Sequence, residues 1–224
     1  TQPTLLLTRP KMQSAEFLSD CEKRASRRLS VVISPILRIE PRANVPDLNP
    51  YPTLIFTSAN GVSACADDLH GRRVLTVGAK TCELAIQAGA LAHSLGEDVD
   101  AFVAHAGEIA GPVLHCRGAH ARGDLASRLN AKGIKTDEAV LYDQFANPLT
   151  PAARNLLQDK NLVVVAPLFS PRSAQLLCEN MIEAEMKIIA MSAAVANAWT
   201  GPGTIETVSA PTAAKMALQT VRHF

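Results

Sequence analysis

The sequence has no long apolar run, almost no net charge and no CxxC pair of cysteines. Each of these absences excludes a class of protein. The formal net charge is +1, which gives no bulk positive field for nucleic acid. Apolar runs stay short of the roughly 18–20 residues of a membrane span, so we expect no contact with a membrane. The five cysteines are odd in number and form no CxxC pair, which is typical of reduced, buried thiols in a cytoplasmic protein.

Motifs for several common chemistries are missing as well. There is no GxGxxG fingerprint for a dinucleotide, and the turn at Val77–Thr81 lacks the spacing of a phosphate-binding P-loop. No serine, histidine and aspartate stand in the order of a nucleophile elbow, and no carboxylate pair forms a convincing motif. Residues 1–10 lead straight into a predicted strand, so we expect no signal peptide.

A metal site is also disfavoured. The best cluster of metal-binding residue types is His115, Cys116 and His120. Residues 115 and 116 are neighbours on a predicted strand and therefore point to opposite faces. We accordingly expect no bound metal.

Short apolar runs alternate with helix-length segments along the whole chain. Strands that are apolar on both faces and joined by helices are typical of parallel sheets covered on both sides. We count about ten strands, which suits two sheets of about five. The extended segments 34–40 and 139–146 are candidate hinges. In one arrangement they bracket an inserted domain, 40–142, and residues 1–37 and 145–224 form the other domain. In the alternative arrangement, two consecutive domains meet near residue 112. The periodicity of the sequence does not distinguish these two arrangements.

One strand–turn–helix pattern occurs twice. Residues 54–69 and 163–177 each read as an apolar run, a phenylalanine and a serine, a short turn and a helix. A second strand-to-helix unit follows each, at 74–81 and 188–195. A strand that ends in a hydroxyl residue at a helix start can bind an anion. The repeat predicts two similar domains that face one polyanionic ligand.

The segment 40–142, which contains the first copy, carries most of the candidate binding groups. They follow three predicted strands and comprise Thr57, Ser58, Ala59 and Asn60, then Gly78, Ala79, Lys80 and Thr81, then Arg117, Gly118 and Arg122. Arginine suits carboxylates because its planar fork can bind both oxygens. Taken alone, each turn also fits an ordinary helix cap.

The remaining candidates are spread over the other segments. Arg9 ends the first strand, where it would face a ligand or only solvent. The second copy offers Ser170, Arg172 and Ser192. Tyr142 lies on the second hinge segment, where it would pack against the linker or direct its phenol towards a ligand.

Seven segments occur in an order that resembles the uroporphyrinogen-III synthase family. They are residues 5–10 (LLLTRP), 54–62 (LIFTSANGV), 77–81 (VGAKT), 117–118 (RG), 129–134 (LNAKGI), 140–142 (VLY) and 169–174 (FSPRSA). The resemblance implies two Rossmann-like or flavodoxin-like parallel-sheet domains, joined by a two-strand linker with the site in the interdomain cleft. It also favours the inserted arrangement of domains.

The family resemblance implies a cofactor-free, cytoplasmic and monomeric lyase of haem biosynthesis. Its substrate would be hydroxymethylbilane, a linear tetrapyrrole with eight carboxylates. Loss of the terminal hydroxyl would give an azafulvene cation, and attack by the substituted carbon of ring D would form a spiro pyrrolenine. Fragmentation and recombination would then invert ring D and close uroporphyrinogen III.

The resemblance makes Tyr142 the candidate acid, and we add Thr81 as a second catalytic candidate. The expected substrate-binding residues are Arg9, Thr57, Ser58, Ala59, Asn60, Gly78, Ala79, Lys80, Arg117, Gly118, Ser170, Arg172 and Ser192. The turn at 192–195 lacks the glycine and threonine of the family, so we expect most carboxylate recognition on the 40–142 lobe. Two alternatives stay open: a non-enzymatic, two-lobed protein that binds a carboxylated molecule, or an inactive paralogue.

Overall fold

The computed structural model describes residues 2–107, 109–120 and 124–224. The chain divides into a first unit, Thr1–Arg38 with Ala146–Phe224, and a second unit, Ile39–Phe145. The predicted α/β class with parallel sheets is confirmed, because each unit holds one sheet built mainly of parallel strands and flanked by helices. A hinge function for segments 34–40 and 139–146 stays a prediction.

Strands and helices alternate through the described chain, except that three strands follow one another after the first helix. The strands are β1 Thr4–Leu7, β2 Val31–Ile33, β3 Leu37–Pro41, β4 Thr53–Phe56, β5 Arg73–Val77, β6 Leu91–Gly96, β7 Val113–Gly118, β8 Thr136–Ala146, β9 Val163–Leu168, β10 Glu185–Ala190 and β11 Thr204–Thr207. The helices are α1 Lys11–Ala25, α2 Ala59–Ala64, α3 Ala79–Gln87, α4 Val99–His105, α5 Leu125–Ala131, α6 Pro151–Gln158, α7 Pro171–Cys178, α8 Ala193–Ala198 and α9 Ala213–Val221.

The first unit has the strand order β11-β10-β9-β1-β2, with parallel pairing between its neighbours. Counted within the unit, this is the order 2-1-3-4-5 of flavodoxin-like sheets. The connections run to opposite sides of the sheet from the β1/β9 pair. That pair is therefore the topological switch point, where open α/β sheets bind ligands at the carboxyl ends of their strands.

The second unit has the order β3-β8-β7-β4-β5-β6, and β4 to β8 are mutually parallel along the sheet. These five strands follow the Rossmann order 3-2-1-4-5, with β3 added beside β8. The switch point here lies between β4 and β7. The first unit thus has the flavodoxin-like strand order and the second the Rossmann-like order.

Each sheet is covered by an apolar cluster on either face. In the first unit, Leu6 and Val164 lie in one cluster, while Leu5 and Leu7 lie in the other. In the second unit, the members of β4 alternate in the same way between two clusters. This burial on both faces explains why the strands read as continuous apolar runs.

One helix is shorter than the sequence predicts. The strand–turn–helix pattern of 54–69 predicts a helix that continues to residue 69, but α2 ends at Ala64 and a short 3-10 turn follows at Ala66–Asp68. Cys65 separates them with a φ of −139°, outside the helical region. Cys65 and Val62 enter the core, so packing decides where this helix stops.

Candidate functional site

The switch point of the second unit brings together residues from three of the predicted segments. Ser58 follows β4 and caps α2, with its Oγ accepting from the amide of Gly61 at 3.2 Å. Gly118 ends β7, the neighbouring strand. Tyr142 lies on β8, the next strand beyond β7. These residues come from distant parts of the chain and meet at the carboxyl edge of the sheet.

The phenol of Tyr142 crosses β7 to reach the end of β4. Its Oη lies 2.9 Å from the Oγ of Ser58, and the residue is 4% exposed. The tyrosine side chain and its contact to Ser58 together span the two strand spacings, each of roughly 4.8 Å, that separate β8 from β4. A Cβ built on Gly118 would lie 2.4 Å from Cζ and 2.7 Å from Oη of Tyr142. The ring takes this path because residue 118 has no side chain.

A shift of register between β7 and β8 aims this ring. Arg117 is opposite Val140, but Gly118 is opposite Tyr142, so Leu141 is an extra residue on β8. Leu141 and Tyr142 both enter the same apolar cluster, which strict alternation along a strand would forbid. The sequence left the direction of Tyr142 open; the structure places it on the core face, with its hydroxyl at the sheet edge.

Polar residues occupy the other face of the same sheet. The Nε2 of His115 lies 3.4 Å from Oγ1 of Thr57, and its Nδ1 lies 3.3 Å from Oε1 of Glu138. Arg117 places its Nε 2.8 Å from the same carboxylate oxygen and donates from its Nη2 to Oε2 at 3.4 Å. Burial lowers the pKa of His115, and the nearby Glu138 opposes that shift.

The turn after β5 lies one strand beyond the end of β4, which the hydroxyl of Tyr142 reaches. Gly78 has a φ of +80°, which suits glycine, and its amide donates to the carbonyl of Gly96 at 2.8 Å. Thr81 is buried in the first turn of α3, whereas Ala79 and Lys80 are exposed. Thr81 follows β5, whereas Tyr142 lies on β8, and β4 and β7 stand between these two strands. The two catalytic candidates therefore lie at the ends of different strands.

In the first unit, Arg9 lies at the switch point between β1 and β9. Its guanidinium carbon stands 4.2 Å from the ring centre of Phe169, which in turn meets Phe17 edge-on at 5.2 Å. Burial lowers the pKa of Arg9, and Glu16 opposes this. Arg9 is thus held over an aromatic face and is neither fully solvated nor fully enclosed.

The hydroxyls predicted in the second copy are helix caps. Ser170 accepts from the amide of Ser173 at 3.1 Å and contacts its hydroxyl at 2.8 Å. Ser192 accepts from the amide of Val195 at a longer 3.4 Å. Arg172 is half-buried in the first turn of α7.

Other predicted positions are placed less specifically. Ala59 and Asn60 are half-buried in the first turn of α2. Arg122 lies outside the described residues. Within the described ranges, no three His, Cys, Asp or Glu residues form a cluster that could hold a metal ion. The helices of the described chain include none long and apolar enough to cross a membrane.

Sequence reasoning missed Glu138 and Phe169. Glu138 stands opposite His115 in the β7–β8 register, so a pairing of 113–118 with 136–142 would have revealed it. Phe169 was read only as part of a repeated pattern, although it directly follows β9 at the switch point. Both depend on strand order, which the sequence pattern does not fix.

The family of the chain follows from its sequence. A sequence model of the uroporphyrinogen-III synthase HemD family matches residues 22–218. The chain belongs to the uroporphyrinogen-III synthase family. A uroporphyrinogen-III synthase from Chlorobaculum parvum is 44% identical over 61 residues, which cover 26% of this chain and 24% of the relative. The match thus spans about a quarter of that relative's length.

Solved structures of uroporphyrinogen-III synthases share the fold. The Helicobacter pylori synthetase superposes with a TM-score of 0.66 at 16% identity, over 98% of this chain and 97% of that one. A mutant synthase from Thermus thermophilus gives a TM-score of 0.56 at 13% identity, over 99% and 98%. The likeness therefore extends over nearly the full length of each chain, in agreement with the family assignment.

Proposed function

We propose that this protein is a uroporphyrinogen-III synthase, a cyclising lyase that acts on hydroxymethylbilane without a cofactor. Membership of the family, over 22–218, supports the reaction class. The observation that supports a role for particular residues is the phenol of Tyr142, held against Ser58 at the switch point of the second unit. A cytoplasmic and monomeric enzyme stays a prediction.

The Tyr142–Ser58 pair can supply a proton for the first step. The Oγ of Ser58 accepts from the amide of Gly61, which leaves its hydrogen to donate to Oη of Tyr142. The phenol proton of Tyr142 is then available for the departing hydroxyl of the substrate. A hydroxyl that leaves as water costs less than a bare hydroxide, and the cation that remains closes onto ring D.

Carboxylate recognition would come from both sheets. Arg9 stands at the switch point of the first unit, where its planar guanidinium can bind both oxygens of a carboxylate. Arg117 stands at the switch point of the second unit, where it would have to exchange the carboxylate of Glu138 for one of the substrate. Each such charge-assisted bond is worth about 1.5–3 kcal/mol, so a few of them could hold a flexible tetrapyrrole folded. Orientation of the two ends of the substrate would then supply much of the rate acceleration.

The product distinguishes this activity from simple binding. We would incubate the protein with freshly prepared hydroxymethylbilane, oxidise the mixture and separate the porphyrin isomers. Isomer III should exceed the buffer control, in which spontaneous closure gives isomer I. Isomer I alone would contradict an enzymatic function and leave the binding protein or the inactive paralogue.

A further inference from the structure

A buried imidazole links two polar groups on the face of the sheet away from Tyr142. His115 is 1% exposed and lies on β7, between β4 and β8. Its neighbours Leu114 and Cys116 share an apolar cluster with Tyr142, so His115 faces the other way. None of the steps described for the reaction uses this residue.

The charges around His115 favour one tautomer. Glu138 places Oε1 3.3 Å from Nδ1, and Arg117 holds that carboxylate in place from 2.8 Å. The contact between Nδ1 and Oε1 is not aligned as a hydrogen bond. The negative charge of Glu138 nevertheless acts on Nδ1 at this distance. A nitrogen lone pair directed at a carboxylate oxygen would be repelled, whereas an N–H would be attracted. The neutral ring should therefore carry its proton on Nδ1.

That tautomer decides what Thr57 can do. With the proton on Nδ1, Nε2 is only an acceptor, so the hydroxyl of Thr57 at 3.4 Å must donate its single hydrogen to it. The free side of Oγ1 then carries lone pairs. An oxygen in this state repels a carboxylate but can accept from an N–H group.

We propose that His115 is a positioning residue that fixes Thr57 as a hydrogen-bond acceptor, and that Thr57 receives a pyrrole N–H of the substrate. The nature of this donor rests on the proposed function, since a linear tetrapyrrole carries one N–H on each ring. Thr57 was predicted among the groups that bind carboxylates; the inference gives it a different partner. Carboxylates would be left to Arg9 and the helix starts.

The tautomer can be measured without any substrate. Protein labelled with ¹⁵N-histidine at pH 7.5 would be studied by long-range ¹H–¹⁵N correlation, with His115 assigned from its loss in His115→Gln. We expect Nδ1–H in the wild type and Nε2–H in Glu138→Leu. Asp137→Leu is the matched control, because it removes the same charge one residue away, and it should keep Nδ1–H. An Nε2–H or a doubly protonated ring in the wild type overturns the proposal.

Kinetics test the partner of Thr57. Thr57→Val removes the acceptor at constant shape and should raise KM for hydroxymethylbilane about three- to tenfold, as expected for one neutral hydrogen bond. Thr57→Ser should recover most of that loss. Glu138→Leu should raise KM about three- to tenfold relative to Asp137→Leu. In Glu138→Leu the ring would carry its proton on Nε2, so Thr57 would accept from His115 and present its own hydrogen, instead of a lone pair, to the substrate.

The outcomes separate this proposal from the proposed function. Equal KM values for Glu138→Leu and Asp137→Leu, or a wild-type KM for Thr57→Val, overturn the acceptor role of Thr57. A wild type that forms no isomer III contradicts the synthase activity instead. The tautomer of His115 is tested by the NMR spectrum alone, whatever the two kinetic results are.

Discussion

At the scale of single residues, the environment of Tyr142 separates its packing from its chemistry. The ring lies over Gly118, and only the hydroxyl contacts Ser58. Tyr142→Phe therefore keeps the packing and removes one hydrogen bond, at a cost of about 1 kcal/mol in unfolding free energy. If the phenol is the general acid, kcat for isomer III should fall about 10²-fold. Stopped assays of isomer III, with denaturant unfolding beside them, measure both effects.

The chain offers a matched control for this substitution. Tyr51 is the other tyrosine, and its hydroxyl donates to Asp137 at 2.9 Å, away from Ser58. Tyr51→Phe should leave turnover unchanged while losing one comparable hydrogen bond. Wild-type turnover in Tyr142→Phe would remove the phenol from the acid role.

Gly118 should matter through Tyr142. In Gly118→Ala the new methyl would stand 2.4 Å from the ring, so the ring must leave its position and lose Ser58. We expect a cost of about 1–3 kcal/mol in stability from overpacking and a fall in kcat similar to that of Tyr142→Phe. Denaturant unfolding measures the loss of stability, and stopped assays of isomer III measure the fall in kcat.

A double-mutant cycle tests this coupling. Adding Gly118→Ala to Tyr142→Ala should cost much less stability than Gly118→Ala alone, because the ring is no longer there to be displaced. Additive effects would mean that Gly118 acts through its own backbone and not through Tyr142.

Single residues also show what the sequence could predict. The caps Ser58, Ser170 and Ser192 followed from a local pattern, a strand, a hydroxyl and a helix, and the structure contains all three as N-caps. The direction of Tyr142 depends on one extra residue in the pairing of β7 with β8. A register shift arises from contacts between distant strands, so no local pattern specifies it.

At the scale of elements, the start of α7 allows stability and binding to be separated. Ser170→Ala removes the cap and should cost about 1 kcal/mol of unfolding free energy. Ser170→Asp keeps a capping oxygen and should restore that stability, yet it adds a negative charge where we propose that a carboxylate binds. Its KM for hydroxymethylbilane should rise while its denaturation midpoint stays near that of the wild type. A wild-type KM in Ser170→Asp would exclude this helix start from the substrate site.

Element order limited the sequence analysis more than element type. Buried strands were visible as apolar runs, because both faces of each sheet are covered. The two switch points were not visible, since they depend on which strands pair. Arg9 reaches its switch point only once β1 is placed beside β9, and Ser58 meets Gly118 only once β4 is placed beside β7.

At the scale of the whole molecule, the five thiols report on folding. Cys21, Cys65 and Cys116 are buried, and burial raises the pKa of Cys21 and Cys65 to about 12. It raises the pKa of Cys116 as well. A raised pKa leaves almost no thiolate at pH 8, and burial also blocks the reagent.

We therefore expect two fast thiols in the native protein at pH 8. Cys82 and Cys178 are only half-buried and should react first with a disulfide reagent. All five should react in denaturant, and raising the pH from 8 to 9 should not speed the slow three until the protein unfolds. A third fast thiol would show that one of the two units opens locally.

The passage of Tyr142 over Gly118 also has an evolutionary consequence. A ring that crosses a strand leaves no room for even a methyl group on that strand, so the two positions are not free to vary separately. A small residue at 142 would have to be fixed before any side chain could be accepted at 118. In a lineage that lost the reaction, relief of selection at position 142 should thus be followed by replacement of the glycine, leaving an ordered trace of lost activity in its descendants.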